Sequence, residues 1–355
     1  MTNNPTPLRR GWTTGACATA ATRAALMQLW GEGFPDRARI TLPKGERPEF
    51  ALSFTDFGTD EGKDWAEAGI IKDAGDDPDV THGAEIRARV TRSSGGVVFK
   101  AGLGVGVVTK AGLPIGVGEP AINPVPREMM TAQVVEMAAR LGQDPNIEIT
   151  ISIPDGAEIA LKTWNPRLGI KGGLSVLGTT GVVRPFSCAA WIASIHRGVD
   201  VARAEGLTHL SGCTGATSER IVQAHHGLSD AAMLDMGDFI GGMLKYIAKH
   251  PVPRVTIGGG IGKIAKFAQG EMDLHSKRSQ VDLPFWADQL GLPEIAGANT
   301  ALEATQIAGP VFAETVARKA LETINARFKT AADGSSIAYD IVVIDRKGQI
   351  LATAS

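Results

Sequence analysis

Cysteine is scarce: Cys17, Cys188 and Cys213 are the only three in 355 residues, and they stand far apart. No CxxC pair can be drawn from them, which excludes a disulfide framework and a structural zinc knuckle and suits a reducing compartment. The histidine pair His225–His226 has no carboxylate or cysteine at metal-ligand spacing, so zinc is not expected there. An excess of either charge is also missing. With 36 basic against 38 acidic side chains the net charge is −2, too small a field to favour nucleic acid as a partner. Apolar runs are broken by Gly, Arg or Asp well short of the ~18 residues a membrane helix needs. The first ten residues are polar and carry prolines, without the apolar stretch of a secretory leader. These absences together describe a cytoplasmic protein that uses neither membrane nor nucleic acid.

What is abundant is glycine. The chain has 43 glycines, against about 7% in ordinary proteins, and they cluster in short runs. Hydrophobic residues at 43% and charged residues at 21% suit a globular protein of two domains. Residues 14–30 are rich in alanine and predict a helix, with Thr13 or Thr14 as cap and Gly31 as stop. Strand-like segments follow at 38–42, 49–54, 84–90 and 97–101, with an acidic loop at 72–80. Glycines and prolines at 102–126 forbid a helix, a helix spans about 127–142, and a strand covers 147–153. Further on, strands at 206–210, 254–257 and 341–345 alternate with helices at 191–204, 218–224, 238–249, 261–269 and 302–326. That alternation predicts βα units on a mainly parallel sheet with Gly-rich strand-end loops. The expectation is an α+β domain over 1–165 and an α/β domain over 166–355, with the boundary inside 155–185.

Five segments carry chemistry. RGWTTGAC at 10–17 places Thr13 and Thr14 at a helix N-terminus, where amide groups and the helix dipole favour an anion. The loop VTKAGLPIGVGEPAINPVPRE at 108–128 has four prolines and three glycines, a rigid frame for Arg127 and Glu128. WNPRLGIKGGLSVLGTTGVVRPFS at 164–187 presents Asn165, Arg167, Lys171 and Arg184 among five glycines. Arginine forks of this kind suit a substrate with many carboxylates. VTIGGGIGKIAK at 255–266 and SGCTGATS at 211–218 each read as strand, glycine turn, helix. They make Gly212, Gly215, Gly258, Gly259, Gly260 and Gly262 the candidates for close backbone approach to a cofactor at strand C-termini. Neither is a P-loop, and no acidic residue completes a dinucleotide fingerprint. MDLHSK at 272–277 offers His275 as a general base, beside Glu128 as the other proton-handling candidate.

These segments, in this order, resemble the cobalt-precorrin-5B carbon-1 methyltransferase family of corrin biosynthesis. The specific parts are VGEPAINPVPRE at 117–128 and NPRLGI at 165–170 followed by GTTGVVRP at 178–185. Gly260 stands where many relatives carry histidine, so no catalytic histidine is carried over to that position. The resemblance implies S-adenosylmethionine as methyl donor, a cobalt tetrapyrrole as substrate and cobalt-precorrin-6A as product, with cobalt arriving only inside the substrate. A homo-oligomer and passing contacts with other corrin-pathway enzymes are compatible with it. Methyl transfer from a sulfonium needs alignment more than acid–base machinery. The glycine turns alone leave two other readings: a nucleotide-dependent oxidoreductase and a non-catalytic tetrapyrrole scaffold.

Overall fold

A computed structural model describes residues 8–355. The chain forms two compact units, the first ending at Ser187 and the second spanning Cys188–Ser355.

In the first unit, helix α1 (Thr14–Leu29) is the centrepiece. Ala16, Ala18, Ala20, Ala21, Ala24 and Ala25 are all fully buried, so the helix is covered around most of its girth. Small side chains permit that close approach on several sides. The Thr19 and Thr22 hydroxyls, also fully buried, donate to the carbonyls four residues back at 2.8 Å and so are satisfied in an apolar interior. Against α1 lies a five-stranded sheet of β1 (Phe54–Asp60), β2 (Lys63–Ile71), β3 (Glu85–Arg92), β4 (Val97–Ala101) and β5 (Ile147–Ser152), in the order β1-β2-β3-β5-β4. All pairings are antiparallel except β4 with β5. Ile86, Ala88 and Val90 on β3 and Ile147, Ile149 and Ile151 on β5 face the core in strict alternation. Helix α2 (Pro124–Leu141) packs beside α1 and buries Met130, Val134 and Met137.

The second unit has α3 (Cys188–Ala204), β6 (His209–Cys213), α4 (Ala216–His226), β7 (Met233–Asp235), α5 (Ile240–Ile247), β8 (Arg254–Gly260) and α6 (Ile261–Ala268). After these come α7 (Leu283–Leu290), α8 (Ala301–Ala308), α9 (Pro310–Phe328), β9 (Ala338–Ile344) and β10 (Ile350–Ala354). The sheet order is β7-β6-β8-β9-β10, parallel throughout except for the antiparallel edge strand β10. This is the expected α+β then α/β organisation.

Three expectations change. The boundary moves from 165/166 to 187/188, because Ile170–Lys171 pairs with Val107–Val108 and Val182–Val183 pairs with Gly11–Trp12. Those ladders tie the 164–187 segment to the first unit. The single helix at 302–326 is two helices: Gly309 at φ +66 turns the chain, and Pro310, which has no N–H, starts the next one. Strand β8 runs on to Gly260, so Gly258 and Gly259 lie within the sheet rather than in a loop.

Candidate functional site

The carboxyl ends of β6, β8 and β9 open onto a cleft of about 740 Å³ in the second unit. A cleft of this size at strand ends is where parallel α/β sheets place small ligands. Its glycine turns launch α4 and α6. Gly215 and Gly260 stand at the N-caps of these helices, and no side chain there accepts from the first amide groups. Two helix starts therefore face the cleft with donors not taken by a cap. The third helix start at the rim, α8, is closed by its own residues. Thr300 Oγ1 accepts from the Glu303 amide at 3.1 Å, and Glu303 Oε2 accepts from the Asn299 amide at 2.7 Å.

The six candidate glycines divide by function. A Cβ placed on Gly212 would lie 2.4 Å from Met243 Cε, and one on Gly258 would lie 2.5 Å from Val222 Cγ2. On Gly259 it would lie 2.8 Å from Thr214 Oγ1 and 2.9 Å from Ile264 Cδ1. At these three the missing Cβ makes room for neighbouring side chains, and none of them is on the lining of the cleft where a cofactor was expected to meet them. Gly215 and Gly260 would meet nothing within 4 Å, and Gly262 only Ala301 Cβ at 3.9 Å. Those three line the cleft. Their bare backbone is a cradle that side chains would fill. Cys213, beside them, is buried, and burial pushes its thiol up to about 12, so it is not a nucleophile near neutral pH.

Lys263 and Lys266 lie on the lining, spaced i, i+3 on α6. Neither was singled out from sequence, although both follow the glycine turn within two helical turns. Thr217, Ser218, Asn299, Asp345 and Arg346 are among the other polar residues of the lining, and Ile261, Val281, Leu283, Leu302 and Ile344 among its apolar ones. His275 is not on the lining, whereas its neighbour Ser276 is. The His275 ring is occupied in a turn, its Nδ1 accepting from the Lys277 amide at 3.2 Å.

In the first unit, several candidates are consumed by local structure. Two amide groups at the start of α1 are already engaged. Gly15 N–H donates to the Leu177 carbonyl at 3.0 Å, and Ala16 N–H donates to Thr13 Oγ1 at 3.2 Å. Thr13 and Thr14 are buried as well, so the helix start where an anion was expected has both hydroxyl residues packed inside and two amides already engaged. Arg127 donates from Nε to the Ile122 carbonyl at 2.8 Å and also to the Pro120 carbonyl and Glu119, clamping its own loop. Asn165 is buried and bridges the Gly173 carbonyl and the Ser175 hydroxyl, both at 3.3 Å. Arg167 stacks over Trp164 at 4.6 Å. Lys171, Arg184 and Glu128 remain exposed. The histidine pair His225–His226 is packed ring to ring beside His209. Among the described residues no group of three or more His, Cys, Asp or Glu is arranged to hold a metal ion. Also among them, no helix is long and apolar enough to cross a membrane.

A mainly parallel sheet with a glycine-walled cleft at its strand ends makes the second unit an α/β fold, here with an α+β unit preceding it. More particularly, the chain belongs to the CbiD family: residues 1–185 match the family itself and residues 273–355 match the CbiD C-terminal domain. A relative from Paramagnetospirillum magneticum is 54% identical, the match covering 98% of each chain. One from Brucella anthropi is 56% identical, covering 97% of this chain and 95% of its own. Both bear the name cobalt-precorrin-5B C(1)-methyltransferase. A crystal structure of the cobalamin biosynthesis protein CbiD from Archaeoglobus fulgidus is 28% identical, with 80% of this chain and 85% of that one covered and a TM-score of 0.41.

Proposed function

We propose that this chain transfers a methyl group from S-adenosylmethionine to carbon-1 of cobalt-precorrin-5B, giving cobalt-precorrin-6A for cobalamin synthesis. The observation that carries the reading is identity above one half, over nearly the whole length, to relatives named for that reaction. The cleft fits an adenosyl donor in size and in chemistry. Gly215, Gly260 and Gly262 admit a ligand against the backbone, the starts of α4 and α6 supply amide donors, and Ile261, Val281, Leu283 and Ile344 offer an apolar wall.

The bound donor supplies an electrophilic methyl on a sulfonium. What remains for the protein is to align and to shield, which lowers the barrier without a charged catalytic triad. The turns at Gly215 and Gly260–Gly262 place the backbone against the donor, and Ile261, Val281, Leu283 and Ile344 pack against its apolar part. Lys171 and Arg184, both exposed, are the candidates for the peripheral carboxylates of the ring, whose cobalt is part of the substrate. The exposed Glu128 is kept as the proton-handling candidate in preference to His275, whose Nδ1 is taken by a turn. Arg184→Ala is expected to weaken substrate binding by about 1.5–3 kcal/mol, the worth of one charged hydrogen bond. A fluorescence titration with unchanged affinity would remove Arg184 from the site.

The decisive assay incubates the protein with methyl-labelled S-adenosylmethionine and cobalt-precorrin-5B. Label in the macrocycle supports the proposal. Saturable binding of a nicotinamide nucleotide without label transfer favours an oxidoreductase instead. Binding of the ring with no transfer in the presence of donor favours a scaffold.

A further inference from the structure

The lining of the cleft carries more positive charge than its own carboxylates balance. Lys266 is only 6% exposed, and its Nζ donates to the Leu274 carbonyl at 3.2 Å. Lys263 Nζ donates to that same carbonyl at 3.3 Å. Two ammonium groups thus converge on one neutral oxygen. The carboxylate in contact with them, Asp238, is engaged by Lys263. Glu271 and Asp273 act on Lys266 through their charge without bonding it: Glu271 is exposed, and Asp273 accepts from Arg278 at 3.1 Å and from the His275 amide at 3.0 Å. Burial, and then the charge of Lys263, lowers the Lys266 pKa from the ordinary lysine value. An ammonium has three N–H groups, and one carbonyl satisfies one of them. A buried cation so placed gains from an anion that arrives with the ligand.

We infer that Lys266, supported by Lys263, receives the carboxylate of the donor's amino-acid tail and so sets which end of the donor enters deepest. The inference rests on the adenosyl-donor reading above and names the group that orients the donor. The two uncapped helix starts lie on the same lining and favour the same sign of charge. Anchoring the carboxylate at α6 directs the adenosyl part along the apolar wall and fixes where the sulfur sits. Lys266 acts on donor orientation, not on the reacting carbon. It is a positioning residue.

The test is calorimetric and needs no turnover. It compares S-adenosylhomocysteine with its decarboxylated analogue, which keeps the adenosine, the sulfur and the amine. The parent protein is expected to prefer the intact ligand by about tenfold to a hundredfold, the range of one charged hydrogen bond. In Lys266→Met that preference falls to near unity while the decarboxylated analogue binds as before. In Lys266→Arg, which keeps the charge, most of the preference survives, and this variant carries the test if the methionine variant folds poorly. Equal affinity of the parent for both ligands overturns the inference and leaves the adenosyl-donor reading intact. So does an equal loss of both ligands in a folded Lys266→Met. If neither ligand binds the parent protein, the donor reading itself falls, and the inference with it.

Discussion

Gly262→Leu is expected to melt no lower than the parent chain and yet to lose donor binding by at least about 100-fold, roughly 2.7 kcal/mol. Gly262 is the second residue of α6, where glycine costs about 1 kcal/mol relative to a good helix former. Its added Cβ meets only Ala301 Cβ at 3.9 Å, so the branched side chain has room, and that room is the cleft. Gly259, three residues earlier, should behave in the opposite way. In Gly259→Ala the new methyl lands under 3 Å from both Thr214 and Ile264, and overpacking of this kind costs about 1–3 kcal/mol. Its backbone lies inside β8, paired with Val343 of β9, so the strand is held in place and the strain falls on the side chains of Thr214 and Ile264. Thermal melts and calorimetric titration with S-adenosylhomocysteine separate the two. A folded Gly262→Leu that binds with parental affinity would show that the donor sits elsewhere. A Gly259→Ala as stable as the parent would show that the strand and helix are more loosely packed than these distances state.

That contrast also measures what the sequence made legible. Glycine runs after apolar β-branched residues located the strand ends, because a strand that delivers the chain to a helix start leaves a recognisable change of period. The same pattern cannot tell a glycine that admits a ligand from one that admits a neighbouring helix. Both need a missing Cβ, and only the positions of Met243, Val222 and Ile264 decide between them. Lys263 and Lys266 went unnoticed for a related reason. A lysine on a helix reads as solvated, and its burial depends on Leu274, which arrives from a different loop. In the first unit the hairpin of β1 and β2 was missed because residues 54–65 are dominated by Asp, Thr and Gly. Its turn rests on Glu61 and Gly62, both at positive φ, a backbone pair that composition does not announce. Arg127 and Asn165 were read as ligand-facing because loops rich in glycine and proline leave the destination of polar groups open. The fold sends them to their own carbonyls.

The acidic loop at 72–80 holds a buried ion pair, and its energetics should follow from that. Lys72 is 1% exposed, and its Nζ meets Asp79 Oδ2 at 2.6 Å. Asp79 also accepts from the Thr81 amide at 2.8 Å and the Thr81 hydroxyl at 2.6 Å. Burial alone would raise the Asp79 carboxyl, but the charge and hydrogen bond of Lys72, with the two Thr81 bonds, outweigh it and hold the carboxyl below its ordinary value. Asp79→Asn is therefore expected to cost about 3 kcal/mol, since it strands a buried ammonium. That figure is the low edge of the range for broken buried pairs, because 26% of the Asp79 side chain is still exposed. Lys72→Met should cost roughly 1 kcal/mol or less, because an apolar side chain replaces the buried cation and Asp79 keeps Thr81. The pH dependence follows from the sign of the shift. A carboxyl whose folded pKa is lowered adds stability that is complete above its unfolded value, near 3.9, and that fades as pH falls through the folded value. The parent chain should thus lose this contribution below about pH 4, whereas Asp79→Asn should show a flatter acid limb there. The loop also fastens both ends of the first unit: Trp12 N–H donates to the Asp73 carbonyl at 2.7 Å, and Phe186 N–H donates to Asp77 at 2.8 Å. Hydrogen exchange at those two amides, followed beside the melt, should quicken in Asp79→Asn and hold in Lys72→Met. If the two variants prove equally stable, the buried pair contributes packing alone, and the charge on Lys72 has no hold on this loop.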